Sequence, residues 1–211
     1  MTDRLIVQRA YSFDIRAENN QEYGDHVTGR PIVYNSRTDL TFFDEIIEPG
    51  ALDGADLKDV RFLINHNLDM IPLARSRNNN KNSTMQMETD KDGMKIRVNL
   101  DTQNNSESKN LYSAIKRGDI TGMSFMFTIK EDKWENMDTE HPTRRILKIG
   151  KVMEVSAVTF PAYEETEISA RGKRALESAK EALDGARKMQ SPDGDKEKLD
   201  LQRAKIKNKL I

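Results

Sequence analysis

The chain of 211 residues is 36% hydrophobic and 33% charged with a net charge of −1, which suits one domain with an appendage or two small domains. Its lack of cysteine excludes disulfides, thiolate metal sites and a cysteine nucleophile. No stretch reaches the roughly 20 apolar residues of a membrane span and no apolar run follows the N-terminus, so we expect a soluble intracellular protein without membrane contact.

The first 170 residues read mainly as β structure. Residues 94–100 alternate strictly between apolar and polar side chains, and the turn signal Asp92-Gly93 joins them to a strand at 84–89 as a hairpin. Further strands are predicted at 5–16, 59–66, 120–130, 145–149 and 152–160. A short helix is expected near Ala51–Leu57. A longer one is expected at 106–117, with Ser106 as its cap and Gly118 after its end.

Residues 171–211 differ in character from the rest of the chain. They hold 12 Lys and Arg against 7 Asp and Glu, whereas the remainder holds 22 against 28. An apolar stripe (Leu176, Ala179, Leu183, Ala186) predicts an amphipathic helix, and a second charged helix is predicted at 195–211. Such a basic tail is either an interaction segment or a solvated extension. It lacks the interleaved aromatics that favour nucleic-acid binding, so nucleic acid is not an expected partner.

Three polar residues interrupt the apolar strands in the order His66, Ser124, Glu154. Alternation places His66 at the end of the row of Phe62 and Ile64, and Glu154 in the row of Val152 and Ser156. Alternation also turns Ser124 away from the apolar face of its strand. A nucleophile, a base and an orienting carboxylate are what covalent acyl transfer requires, and their order along the chain is free.

Each of these residues also has an ordinary structural interpretation. A serine in a strand or a histidine at a strand end is common, and Glu154 could face solvent on an edge strand. The other histidines, His26 and His141, form no i, i+4 pair with a ligand residue, so no metal site is predicted. Spacing alone leaves these alternatives open.

Five local motifs, taken together and in this order, resemble the prohead maturation proteases of tailed bacteriophages, distant relatives of the herpesvirus capsid protease. The motifs are Gly29–Asn35 (GRPIVYN), Phe43–Ala51 (FDEIIEPGA), Leu63–His66 (LINH), Gly118–Phe125 (GDITGMSF) and Glu154–Tyr163 (EVSAVTFPAY).

The resemblance implies a serine protease with Ser124 as the nucleophile, His66 as the general base and Glu154 as the third member, with Glu45 as a rival for that position. It implies no cofactor and a herpesvirus-protease-like antiparallel β-barrel core, within a mainly β fold with flanking helices (α+β). Residues 1–170 would form the protease domain and residues 171–211 a helical tail.

The same resemblance implies a role for the chain. The expected substrates are the major capsid protein, its scaffold segment and the enzyme itself, cleaved inside the assembling procapsid in the host cytoplasm. Self-association within the procapsid is also expected, and Pro161–Glu164 is the expected source of the oxyanion hole. The competing interpretation is a protease-fold scaffold that has lost activity.

Overall fold

A computed structural model describes residues 6–11, 15–159 and 170–190. These ranges form eleven strands and two helices. The strands are β1 (Ile6–Tyr11), β2 (Arg16–Asn20), β3 (Gly24–Val33), β4 (Arg37–Asp39), β5 (Asp44–Ile47), β6 (Asp59–Ile64), β7 (Ala74–Arg77), β8 (Met85–Asp90), β9 (Gly93–Asn99), β10 (Gly122–Glu135) and β11 (Thr143–Val158). The helices are α1 (Ser106–Arg117) and α2 (Ala170–Gln190). The fold is therefore mostly β with two helices, consistent with the α+β prediction.

The strands form two sheets. The seven-stranded sheet has the order β1-β10-β11-β5-β4, with β6 also paired to β11 and β7 paired to β6. The four-stranded sheet has the order β2-β3-β9-β8 and contains the predicted hairpin as β8 and β9. Because β5 and β6 both run parallel to β11, the larger sheet is mixed. No closed barrel is found among the described strands, so the predicted antiparallel barrel is not confirmed.

One hydrophobic core joins the two sheets and α1. Val27, Met94 and Ile96 enter it from the smaller sheet, and Leu111 and Ile115 enter it from α1. From the larger sheet, β10 contributes Met123 and the stacked pair Phe125 and Phe127, whose ring centroids lie 4.7 Å apart. This core therefore takes one face of β10 and β11, and Ser124, Ser156 and Glu154 lie on the other face.

The predicted pair of strands at 145–149 and 152–160 is one continuous strand, β11, which ends at Val158. Gly150, which lies between the two predicted segments, serves a close approach. A Cβ atom there would lie 2.8 Å from the hydroxyl of Thr128 on β10, and the β10–β11 register shifts beside it. The glycine therefore allows β11 to pass this irregularity without ending.

Two local predictions for helices are corrected. The segment near Ala51–Leu57 forms successive turns rather than a helix, because Gly50 and Gly54 adopt left-handed φ values of 79° and 75°. Helix α1 has the predicted bounds and ends at Gly118 with φ 82°, but its cap is Asn105, which accepts from the backbone N–H groups of residues 107 and 108. Asn105 precedes Ser106 directly, and both residue types are strong N-caps.

Helix α2 is the described part of the predicted tail; the second helix predicted at 195–211 lies outside the described residues. Ala179 and Leu183 of α2 are buried against Phe43, beside Trp134. The Phe43 and Trp134 rings meet edge to face at 4.8 Å. The amphipathic stripe thus packs on the loop before β5 and the end of β10. Neither described helix is long and apolar enough to cross a membrane.

Candidate active site

A tight turn after β6 carries His66. Asn65 and His66 both have left-handed φ values, 49° and 54°, and the N–H of Asn67 donates to the carbonyl of Ile64 at 3.0 Å. Two central residues with positive φ define a type I′ turn, and Asn and His enter this region more readily than most other residues. Because the strand ends at Ile64, strand alternation does not extend to His66. The prediction that His66 shares the face of Phe62 and Ile64 is therefore wrong.

The turn brings the ring of His66 to Glu154 on the neighbouring strand. The Nδ1 atom of His66 lies 2.5 Å from Oε1 of Glu154, and the two side chains are 5% and 1% exposed. A carboxylate at this atom fixes the tautomer with the proton on Nδ1 and leaves Nε2 as an acceptor. The Nε2 atom is buried and has no hydrogen-bond partner among the described residues.

Glu154 reaches this position because of an irregularity in β11. Met126 pairs with Glu154 whereas the next residue of β10, Phe127, pairs with Val152, so Met153 is an extra residue. The bulge places Val152 in the hydrophobic core. The prediction that Val152 shares a row with Glu154 is therefore wrong, whereas Ser156 does contact Glu154.

Ser156 is a member of this cluster that the sequence interpretation did not select. Its hydroxyl donates to Oε2 of Glu154 at 2.6 Å and accepts from the backbone N–H of His66 at 3.0 Å. Its i+2 spacing from Glu154 could have indicated that the two side chains are neighbours, because residues two apart share a face of a strand. The hydroxyl proton of Ser156 is already directed to a carboxylate, which makes Ser156 a poor candidate for the nucleophile.

Ser124 lies one strand further along the same sheet. It pairs directly with Ser156 across the β10–β11 ladder, and residues directly opposite each other project on the same face. Ser124 and Ser156 are both fully buried. On its other side Ser124 pairs with Ala10 of β1. The sheet thus gathers Ser124, Ser156 and Glu154 on one face, and the turn adds His66 to Glu154 and Ser156.

A side-chain clamp holds the turn to the end of β11. The amide N–H of Thr159 donates to Oδ1 of Asn65 at 2.9 Å, and Nδ2 of Asn65 donates to the Thr159 hydroxyl at 2.9 Å. The backbone N–H of Asn65 also donates to the carbonyl of Ala157 at 2.9 Å. These bonds fix the residue immediately before His66.

The other candidate residues lie apart from this cluster. Glu45, the rival third member, is fully buried on β5, where it pairs with Arg144 and lies 3.7 Å from its guanidinium. His26 contacts the carbonyl of Gly24 at 2.9 Å. The oxyanion hole predicted at 161–164 lies outside the described residues.

His141 belongs to a small polar cluster near the surface. It lies 3.4 Å from Asp44 and 3.6 Å from Asp39, and one ligand atom of each could meet at a metal ion. Arg37 already binds Asp44. Burial acts to raise the pKa of Asp44, but Arg37 and His141 outweigh it and hold that pKa below its usual value. The arrangement therefore has the features of an ion-pair cluster.

A buried carboxylate contacts Nδ1 of a buried histidine, and a buried serine lies on the same sheet face as the carboxylate, on the adjoining strand. These are the residue types from which serine-hydrolase triads are built. The sequence model of the caudovirus prohead serine proteases matches residues 11–181, and the chain belongs to this family.

Two individual proteins are similar to this chain. The prohead protease of Enterobacteria phage HK97 is 31% identical over 130 residues, which cover 60% of this chain and 52% of the relative. The chain therefore spans about half the length of that curated relative. The solved structure of the bacteriophage T4 capsid assembly protease aligns with a TM-score of 0.43 and 11% identity, over 74% of this chain and 99% of that one.

Proposed function

We propose that this chain is a serine endopeptidase of phage procapsid maturation, with Ser124 as the nucleophile, His66 as the general base and Glu154 as the orienting carboxylate. The contact of 2.5 Å between Nδ1 of His66 and Oε1 of Glu154, both buried, carries the proposal. With the proton on Nδ1 held by Glu154, Nε2 of His66 is left as a proton acceptor. A general base needs such an acceptor, whereas a buried histidine with a purely structural role does not. Family membership supplies the reaction class.

In the proposed mechanism the hydroxyl oxygen of Ser124 attacks the scissile carbonyl carbon while Nε2 of His66 takes the hydroxyl proton. Glu154 stabilises the imidazolium that forms. Collapse of the tetrahedral intermediate breaks the C–N bond as Nε2 returns the proton to the leaving amine. Water then hydrolyses the acyl-enzyme by the same steps. Each oxyanion donor is worth about 3–4 kcal/mol in enzymes of this kind. The segment Pro161–Glu164 stays the predicted location of the hole, with donors from its residues other than proline, which has no N–H.

Substrate access is a separate requirement of this mechanism. Ser124 is fully buried and His66 is 8% exposed. A peptide carbonyl therefore reaches the serine only when the groups that cover this face of the sheet move. A small organophosphorus reagent that labels activated serines is therefore a useful test of the nucleophile, because it needs a smaller opening than a protein substrate does.

The proposed substrates are the scaffold segment and major capsid protein of the same phage, cleaved inside the procapsid within the host cytoplasm, together with the enzyme itself. Self-association within the shell belongs to the same proposal. The finer fold relationship, a herpesvirus-protease-like core, is supported by the motif resemblance alone.

The test is an intact-mass measurement of the capsid protein after co-expression with the wild-type chain or with Ser124→Ala. Cleavage by the wild type and none by the variant is expected. Ser106→Ala, an exposed serine on α1, is the matched control and should cleave normally. Cleavage that persists in Ser124→Ala would identify another nucleophile. Uncut protein in every sample would favour the alternative of an inactive scaffold.

We also propose that residues 1–170 form the protease domain and that residues 171–211 form a tail which carries the enzyme into the shell. Because Ala179 and Leu183 pack on Phe43, removal of the whole tail uncovers apolar surface. Two shortened chains are therefore compared, one ending at Arg171 and one at Gln190. Both should cleave a peptide, and the chain ending at Arg171 should fail to enter procapsids. Normal incorporation of that chain would overturn the proposed role.

A further inference from the structure

Ser156 is a fully buried hydroxyl that the three-residue mechanism does not use. It lies between the two residues on which that mechanism depends. Its oxygen accepts from the backbone N–H of His66, and its proton goes to Oε2 of Glu154. The separations are 3.0 Å and 2.6 Å, both within ordinary hydrogen-bond range. One small side chain thus connects the base to its carboxylate by a second route.

The bond to Glu154 fixes the orientation of the carboxylate. Oε1 binds His66 and Oε2 binds Ser156, so each oxygen has a separate partner. The terminal torsion of a glutamate is broad, and packing alone does not define it well. Without the hydroxyl, Oε2 would be a buried charged oxygen lacking this partner, a costly state that favours rotation of the carboxylate. Rotation would weaken the bond to Nδ1 of His66.

The bond to the His66 amide fixes the second partner. His66 has φ 54°, a left-handed conformation that is unfavourable for a non-glycine residue and persists only where surrounding contacts hold it. The Ser156 hydroxyl holds it directly at the backbone N–H. Because the same oxygen contacts both residues, a shift of the turn and a rotation of the carboxylate are coupled.

We propose that Ser156 is a positioning residue of the active site, a fourth member that sets the geometry of His66 and Glu154 without touching the substrate. The inference rests on the proposed function, since it assigns Ser156 a role in that same reaction. It predicts an effect on the chemical step. A serine that only satisfied buried polar groups would affect stability and leave the rate of the folded enzyme unchanged.

The test compares Ser156→Ala with Ser156→Thr in steady-state cleavage of a peptide that spans the cut identified by mass in the capsid protein. For Ser156→Ala we expect kcat to fall on the order of 10- to 100-fold, with KM within about threefold of wild type. Ser156→Thr keeps the hydroxyl and should recover most of kcat. The far-downfield NMR resonance of the His66 Nδ1 proton should broaden in Ser156→Ala and return in Ser156→Thr.

The matched control is Ser76→Ala. Ser76 is also fully buried in the larger sheet, on β7, but its hydroxyl has no hydrogen-bond partner among the described residues. Its removal should leave kcat unchanged. If Ser156→Ala does not fold, Ser156→Cys decides instead, because it preserves the shape of serine but donates weakly; a reduced kcat is then expected, and a wild-type kcat would overturn the proposal.

The two proposals fail in different ways. Wild-type kcat in Ser156→Ala, alongside cleavage that Ser124→Ala abolishes, would overturn the role of Ser156 and leave the protease function intact. Equal loss of kcat in Ser156→Ala and Ser156→Thr would also overturn it, because the hydroxyl would then not be the group that matters. Cleavage unaffected by Ser124→Ala would overturn the proposed function itself.

Discussion

The two ends of β11 each hold a buried carboxylate against a nitrogen base, with opposite consequences. At the first end Arg144 lies 3.7 Å from Glu45 on β5 and donates to Asp132 at 2.7 Å. At the second end Glu154 contacts His66, which follows β6. Both pairs arise where a short parallel strand joins the same edge of β11. The carboxylate lies on β5 in the first pair and on β11 in the second, and the basic partner is an arginine in the first and a histidine in the second.

Arginine stays protonated throughout the accessible pH range, so the Arg144 pair holds charge but transfers no proton. Its guanidinium also lies 5.4 Å from the ring of Trp134, a further fixed contact. A histidine side chain can instead accept and release a proton, and Nε2 of His66 has no hydrogen-bond partner among the described residues. The pair at one end of the strand therefore holds a fixed charge, whereas the pair at the other end is the one proposed to transfer a proton.

The largest expected effect comes from Glu154→Gln. The amide would favour donation from its NH₂ group to Nδ1 of His66, which moves the ring proton to Nε2 and removes the proton acceptor for Ser124. A comparable change in a well-studied triad lowers kcat about 10,000-fold, and a loss of 1,000-fold or more is expected here. Peptide-cleavage kinetics would measure it, with circular dichroism as the check of folding. A rate within tenfold of wild type would contradict the assigned role.

The second prediction concerns the Glu45–Arg144 pair at the other end of β11, where we expect a loss of stability without a loss of kcat. Glu45→Gln removes the fully buried carboxylate beside Arg144 and leaves that guanidinium with the partly exposed Asp132, which should lower the free energy of unfolding by about 2 kcal/mol. The kcat of the folded fraction should stay near wild type. Urea denaturation measures the first quantity and peptide cleavage the second. The control is Glu48→Gln, which loses a partly exposed pair with Arg145 and should cost less than about 1 kcal/mol. A loss of kcat in Glu45→Gln without a loss of stability would contradict the proposed difference between a structural pair at Glu45 and a catalytic pair at Glu154.

The third prediction concerns the clamp between Asn65 and Thr159 at the His66 end. Asn65→Gly tolerates φ 49° but loses the side-chain bonds to Thr159, so kcat should fall about tenfold while stability changes by about 1 kcal/mol. Asn65→Asp keeps an acceptor for the Thr159 amide and should stay within about threefold of wild-type kcat. Equal rates in the two variants would show that the turn alone, without the clamp, positions His66.

The residues at the His66 end show what sequence reasoning could reach. Strand periodicity correctly put Ser124 on the face opposite the apolar residues of β10, and the order of motifs indicated the family. Periodicity failed at His66 and Val152 because it assumes an unbroken strand. A left-handed turn begins at Asn65, and a bulge adds a residue at Met153.

Periodicity also could not predict that His66 is the partner of Glu154. Its contact with His66 depends on β6 lying parallel beside β11, a pairing between segments about 90 residues apart. Local pattern carries no information about such a pairing. The motif resemblance supplied it instead, since it names residues that must meet in space. The packing of α2 on Phe43 was also not predicted, because its stripe indicates an apolar face but not its partner.

The smallest expected effect sets a reference for both buried pairs. In the smaller sheet Asp90 accepts two bonds from Arg30, at 2.6 and 2.7 Å, and lies 2.7 Å from Lys95, but the cluster is open to water. Arg30 first, and then Lys95, hold the pKa of Asp90 well below its usual value. A depressed folded-state pKa stabilises the protein above the unfolded pKa of about 3.9, and this contribution is lost as the pH falls through the folded value.

Asp90→Asn should therefore lower the thermal midpoint slightly between pH 5 and 7, by less than Glu45→Gln does. The difference from wild type should shrink as the pH falls below about 3.9. Thermal unfolding over a pH series measures it, with activity at neutral pH unchanged. If the difference in thermal midpoint between wild type and Asp90→Asn grew as the pH fell, the ionised Asp90 carboxylate would not be stabilising the fold. If Asp90→Asn had an effect as large as that of Glu45→Gln, burial would not be what distinguishes the pairs of β11 from an ordinary surface ion pair.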